Sequence, residues 1–157
     1  MDLSRYAHTE STTVAAPPDA VYDLVADVTR MGEWSPVCTK GEWADDSQRA
    51  FVGTNTTPER TWSTHCRVDV AERGREFTFT NRGPEGDAEL VRWSYRFAPQ
   101  DAGTVVTESW QVLDTYSEFI QKLAPGMDVV AYLDGVRGPT AQGMATTLAN
   151  LKAAAES

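Results

Sequence analysis

The sequence predicts an α+β fold: a curved antiparallel seven-stranded sheet wrapped around a long C-terminal helix, with two short helices after the first strand. Three observations predict it. Runs such as Trp93, Tyr95, Phe97 and Val106, Glu108, Trp110, Val112 put bulky side chains on every second residue, the period of a strand with one buried face. Strand-like runs follow one another through short polar turns, the mark of an antiparallel meander. The last stretch changes period, and Met144, Leu148 and Leu151 form a stripe at helical spacing.

Thr9 to Ala16 alternates and is rich in Thr and Val, so it reads as the first strand. Pro17-Pro18-Asp19 stops it and opens a helix, because proline fits a first turn whose N–H groups have no partner. Val21, Leu24, Val25 and Val28 then recur at helical spacing. A second short helix covers Thr29 to Trp34 and ends at Ser35-Pro36. Six strands are expected at Val37–Ala44, Ala50–Thr57, Thr61–Glu72, Arg75–Asn81, Ala88–Ala98 and Thr104–Leu113. Their turns are Asp45-Asp46-Ser47, the tight turn at Gly74, the cluster Gly83 to Asp87, and Gln100 to Gly103. Tyr116–Leu123 reads as a short helix cut at Pro125-Gly126, and Met127–Val136 as further helical chain. Gly138-Pro139 is expected to interrupt it and start the final helix, which runs to about Ala155.

At 157 residues the chain suits one domain, spanning 1–157, with enough core to dispense with disulfides or a structural metal. The net charge of −9 argues against nucleic acid and anionic membrane surfaces, both of which attract basic patches. No 18-residue apolar run is present, so no integral membrane association is expected, and no leader segment is visible at the N-terminus. Cys38 and Cys66 read as free thiols in a reducing cytoplasm. No metal or cofactor is expected: the chain has no His-x3-His, no Cys-x2-Cys, no EF-hand loop and no phosphate-binding glycine loop opening a helix.

Strand parity selects the inner face. In the Thr61 strand the inner set is Trp62, Thr64, Cys66, Val68 and Val70, which turns His65 outward and removes it as a catalytic base. The neighbouring strands contribute Phe51, Gly53 and Asn55; Phe77 and Phe79; Val91, Trp93, Tyr95 and Phe97; and Val106, Glu108, Trp110 and Val112. An apolar wall with a few polar groups has the composition of a site for a molecule with a hydroxyl, carbonyl or phenol on an apolar body. The competing reading is plain aromatic core, which is favoured for Trp93 and Phe97. Glu108 is the anomaly, since a carboxyl pointing into an aromatic interior needs a partner or a cavity. It is the best candidate for an acid or base, with a pKa raised by desolvation. Asn55 and Glu108 can also satisfy each other or backbone groups. His8 is set aside for its place near the terminus. Asp45, Asp46, Glu85 and Asp87 fall in turns, so no second carboxyl is placed beside Glu108.

Several segments together resemble the helix-grip superfamily that includes START domains, birch-pollen-allergen proteins and the polyketide cyclase/dehydrase group (SRPBCC), and in particular its small bacterial members. They are Ala16-Pro17-Pro18-Asp19-Ala20-Val21-Tyr22, Glu33-Trp34-Ser35-Pro36, Phe51-Val52-Gly53-Thr54-Asn55 followed by Trp62, Trp93-Ser94-Tyr95-Arg96-Phe97, Thr107-Glu108-Ser109-Trp110 and Gly143-Met144. The ordered set covers nearly the whole chain and is specific for fold, not for activity. The resemblance implies a cavity between sheet and final helix. The ligand-binding candidates are then Asn55, Trp62, Thr64, Cys66, Phe77, Tyr95, Glu108 and Trp110 on the sheet, Trp34 on the second short helix, and Met144 and Leu148 on the last. It also implies a small hydrophobic ligand, such as a lipid, polyketide or aromatic metabolite. Polyketide cyclase, aromatase or dehydratase activity is the alternative. The stretch 116–138 is longer and more apolar than a minimal linker, and reads as a lid, a homodimer or partner surface, or packing on the sheet edge.

Overall fold

The computed structural model describes residues 1–84 and 88–157. Seven strands, β1 (Ala7–Val14), β2 (Cys38–Trp43), β3 (Ala50–Thr56), β4 (Thr61–Glu72), β5 (Glu76–Arg82), β6 (Glu89–Gln100) and β7 (Gly103–Val112), form one sheet in the order β1-β7-β6-β5-β4-β3-β2. Every pairing is antiparallel. The six consecutive strands form the expected meander, and β1 closes the far side against β7. Of the expected turn at 83–87, Glu85, Gly86 and Asp87 lie outside the described residues.

Helix α1 (Pro18–Ala26) opens with Pro18 in its first turn and buries Val21, Tyr22 and Val25. Asp19 sits at the end where the helix dipole favours negative charge. A 3-10 helix (Val28–Glu33) follows, capped by the Asp27 carboxylate, which accepts from the Thr29 N–H at 3.2 Å. This helix is clamped on β2 through two glycines. A Cβ on Gly32 would lie 2.3 Å from the Thr39 carbonyl oxygen, and one on Gly41 2.2 Å from that of Val28. Only backbone without side chains fits so close an approach.

Helix α2 (Thr115–Leu123) has no fully buried residue, and Leu123 stands 70% exposed. Helix α3 (Val129–Glu156) is capped by Asp128, whose carboxylate accepts from the Ala131 N–H at 3.0 Å. It runs unbroken through Gly138 and Pro139, and this corrects the expected interruption. Pro139 lacks the N–H that would bond the Gly135 carbonyl, but the chain on both sides is fixed by burial: Val129 and Leu133 before it, Met144, Thr147, Leu148 and Leu151 after it. Leu133 and Met144 are eleven residues apart, about three helical turns, so one stripe continues in phase across the proline. Tertiary packing here outweighs the local preference to break. No helix of the described residues is long and apolar enough to cross a membrane.

The core has two parts. One joins α1, Trp34, Phe51, Phe77, Phe79, Phe97, Val106, Leu148 and Leu151. The other joins Leu3, Tyr6, Trp110, Val112, Val129, Leu133 and Met144, and Trp93 touches both. The Phe51, Phe79 and Phe77 rings run along the inner face, and Phe77 meets Tyr22 edge-on at 6.3 Å. In β4 a register shift between Val68 and Val70 alters the parity: Val68 faces Phe79, while Val70 faces Thr78 and Ala71 faces Phe77. Val70 therefore leaves the inner set assigned to it by uninterrupted alternation.

Two stability measurements check this account. Gly41→Ala should destabilise by more than about 2 kcal/mol in urea unfolding, because the obstacle is backbone. Pro139→Ala should stabilise by about 1–3 kcal/mol by restoring a helical hydrogen bond at an exposed position. A lower melting temperature for Pro139→Ala would mean that the proline shapes α3 in a way the packing requires.

Candidate functional site

The inner face carries a band of polar groups across an otherwise apolar wall. At its centre are Tyr95 of β6 and Glu108 of β7, which sit directly opposite each other in register. The Tyr95 hydroxyl donates to Glu108 Oε1 at 3.0 Å. Glu108 is 2% exposed, and its Oε2 is buried with no hydrogen-bond partner among the described residues. Burial raises the Glu108 carboxyl to about 8, against the lowering effect of the Tyr95 bond, and Glu10 adds a smaller upward push. The side chain therefore keeps its proton at neutral pH. Since Oε1 accepts from Tyr95, the proton belongs on Oε2. The Tyr95 hydroxyl is pushed well above its ordinary range, first by burial and then by Glu108, so it keeps the proton that it donates to Glu108.

Toward β3 and β4 the band continues through Asn55, Thr64, Cys66 and Asn81. The Asn55 amide donates to Thr64 Oγ1 at 3.3 Å and to the Trp62 carbonyl at 3.5 Å. Asn55 and Glu108 thus find separate partners instead of each other. The Cys66 thiol donates to Asn81 Oδ1 at 3.0 Å, and burial pushes it up to about 12. Burial also raises Cys38, so neither thiol is an activated nucleophile. Asn81 continues the inner parity of Phe77 and Phe79. A strand reading that stops its inner set at Phe79 misses it.

Toward the sheet edge, β1 adds His8, which the sequence reading sets aside, and Glu10, which it does not single out. Glu10 lies directly opposite Glu108, and His8 directly opposite Trp110. His8 Nε2 and Glu10 Oε1 are 2.7 Å apart. Ser11 bonds Thr107 and Thr9 bonds Ser109 on the other face of the same strand pair, which places Glu10 and His8 with Glu108 on the inner one. The local signal was present, since His8, Glu10, Thr12 and Val14 alternate in a single parity. The pairing of residues about a hundred positions apart was not.

The remaining candidates are distributed along the same wall. Trp62 is half-buried beneath the Arg60 guanidinium, 4.3 Å above its ring. Trp34 is buried, with Arg30 over its ring and its carbonyl accepting from the Asn150 amide at 3.0 Å. Phe77 and Leu148 belong to the first part of the core, Trp110 and Met144 to the second. His65 has the outer parity, opposite Val52 and Arg82, as expected. Two open clefts lie away from these residues. One of about 350 Å³ is bounded by Glu76, Arg96 and Thr107, and one of about 290 Å³ lies beside Ala102 and Lys152. No group of three or more His, Cys, Asp or Glu side chains among the described residues is placed to hold a metal ion.

A family profile described as polyketide cyclase / dehydrase and lipid transport matches residues 7–156. The chain belongs to this family. Similar solved structures of the polyketide cyclase/dehydrase type include the polyketide-cyclase-like protein Cgl2372 of Corynebacterium glutamicum. It is 36% identical, with 94% of this chain and 89% of that one covered and a TM-score of 0.65. The di-domain ARO/CYC proteins StfQ, of the steffimycin pathway, and BexL, of the BE-7585A pathway, share the fold at 17% and 19% identity, with TM-scores of 0.71 and 0.72. The alignments cover 98% and 96% of this chain, and 52% and 50% of theirs. This family member thus spans about half the length of those di-domain proteins. Among curated proteins none matches it.

The raised Glu108 carboxyl gives a pH test of the polyketide cyclase/dehydrase-family protein. In the unfolded chain Glu108 loses its proton near 4.5, and in the folded chain near 8. Between these values the folded state holds the extra proton. Its contribution to stability is complete below about 4.5, falls as pH rises through the window, and is gone above about 8. The stability of the wild type relative to Glu108→Gln should fall from pH 5 to pH 8 by on the order of 1 kcal/mol per pH unit in denaturant titrations. A constant difference across that range would place an ionised Glu108 inside the fold.

Proposed function

We propose that the protein binds a small hydrophobic molecule bearing a carbonyl, hydroxyl or phenol between the inner face of the sheet and α3. The observation that carries this reading is Glu108 Oε2, a protonated and buried oxygen with no partner among the described residues, set in a wall of aromatic rings. A polar atom so placed costs about 1–3 kcal/mol if left unbonded, and a carbonyl or hydroxyl on a bound ligand offsets that cost. Tyr95 holds the carboxyl in orientation, and the Asn55–Thr64 pair offers a second polar contact farther along the wall. The apolar body of the ligand would lie against Trp62, Trp110, Met144 and Leu148. The lipid-transport part of the family description is consistent with a carrier role. The free thiols suit a reducing cytoplasm, where we place the protein.

A second reading is favoured by the proton on Glu108: cyclase, aromatase or dehydratase chemistry on a polyketide-like chain, the role suggested by the ARO/CYC names of StfQ and BexL. The wall would fold the flexible substrate, and Glu108 would give or take the proton.

Native mass spectrometry of the purified protein, followed by solvent extraction, should find an apolar species at about one per chain. Glu108→Gln keeps a donor at the same place and should retain that species. Glu108→Leu removes it and should weaken binding of an extracted carbonyl or hydroxyl compound about tenfold in calorimetry. Equal affinity for all three proteins would remove Glu108 from the contact, and an empty protein that takes up no aryl ketone or fatty acid would overturn the carrier reading. Loss of turnover in Glu108→Gln with binding retained would favour the enzymatic reading.

A further inference from the structure

Glu108 has a second carboxyl group facing it. Glu10 of β1 is its direct cross-strand neighbour, and side chains so placed have Cβ atoms about 4.5–5.5 Å apart. The two groups live in different surroundings. Glu108 is buried beneath the wall and bonded to Tyr95. The Glu10 side chain is 35% exposed and is bonded to His8, itself 34% exposed, at 2.7 Å. Burial, with a smaller push from the Glu10 charge, keeps the proton on Glu108. A pair with one protonated and one ionised member is the arrangement that serves acid and base at once.

We propose that Glu10 and Glu108 form an acid–base pair that enolises a ketone bound in the interior, with His8 as the positioning residue that aims Glu10. This rests on the ligand-binding reading above and adds an activity to it. The Glu10 carboxylate takes a proton from the carbon beside the carbonyl, and the C–H electron pair becomes the C=C bond of the enol. The carbonyl π pair takes the proton from Glu108 Oε2, so the ketone becomes its enol, Glu10 ends protonated and Glu108 ends ionised. Return along the same path restores both side chains. No oxidant, metal or co-reactant is consumed. His8 bonds Glu10 Oε1, so in this scheme Oε2 is the oxygen that takes the proton. Tyr95 supports the ionised Glu108 by donating to Oε1 throughout.

The test is deuterium uptake from D2O beside the carbonyl of 1-tetralone and 2-acetylnaphthalene, followed by NMR, with the dissociation constant of each ketone measured in parallel by calorimetry. The wild type should accelerate uptake by at least about 100-fold over buffer. Glu10→Gln and Glu108→Gln should each bring it to within about threefold of buffer while changing affinity less than about threefold. His8→Gln should lower the saturated rate about tenfold and leave affinity unchanged, a split that a merely structural role would not produce. Saturable binding without uptake would overturn the pair and leave the carrier reading standing. Wild-type uptake by Glu10→Gln would remove Glu10 from the chemistry. Failure of both ketones to bind would overturn the proposal, while the carrier reading falls only if the protein also carries no apolar species and takes up no fatty acid.

Discussion

A carboxyl group in an apolar interior has two stable conditions: it pairs with a cation, or it keeps its proton. Glu108 is bonded to a tyrosine hydroxyl, and no lysine or arginine among the described residues forms an ion pair with it, so it keeps its proton. Much of the surrounding arrangement follows from that condition. Tyr95 must stand on the neighbouring strand in direct register to bond it. The β6–β7 register is therefore tied to a polar contact as well as to the packing of Phe97, Trp110 and Val112. A slip of one residue would carry Glu108 to the outer face and break the contact along with the apolar pattern.

The polar band has a structural cost that the rest of the molecule offsets. A valine in place of Glu108 would extend the row formed by Val106, Trp110 and Val112 without a desolvation penalty. The chain instead holds a neutral acid there, braced by two aromatic core clusters and by α3, whose two halves bury one continuous stripe. The glycine contacts of the 3-10 helix with β2 hold the opposite end of the sheet. Glu108 is thus set in a frame packed from both sides, and an oriented donor needs such support in order to recognise a carbonyl or hydroxyl oxygen.

The fold was largely legible in the sequence because both of its periods are local. Alternation in the runs around Tyr95 and Glu108 gave the strands and their buried face, and Asn55, Cys66, Tyr95 and Glu108 fall on the side that parity assigns. Pro139 misled because a local preference to break competes with burial on both sides of it, and only the assembled fold reveals that burial. Val70 misled because a bulge inserts one residue where the sequence shows unbroken alternation. Glu10 and His8 are hidden from the sequence for a different reason. Their alternation is visible, but their neighbour Glu108 lies about a hundred residues away, and nothing local announces that the first strand closes the sheet beside the last. Asn81 belongs to the inner face by simple extension of the alternation of Phe77 and Phe79.

The chemistry of the interior depends on one proton. Infrared difference spectroscopy between the wild type and Glu108→Gln, recorded from pH 5 to pH 9, reports it directly. The wild type should show a protonated-carboxyl C=O band near neutral pH that is absent from the variant and fades with a midpoint near 8. Absence of that band at pH 6, with a carboxylate signal in its place, would mean that Glu108 is ionised in the folded protein. The unpartnered Oε2 would then be an acceptor, and the reading of the interior as a site for carbonyl compounds would fail.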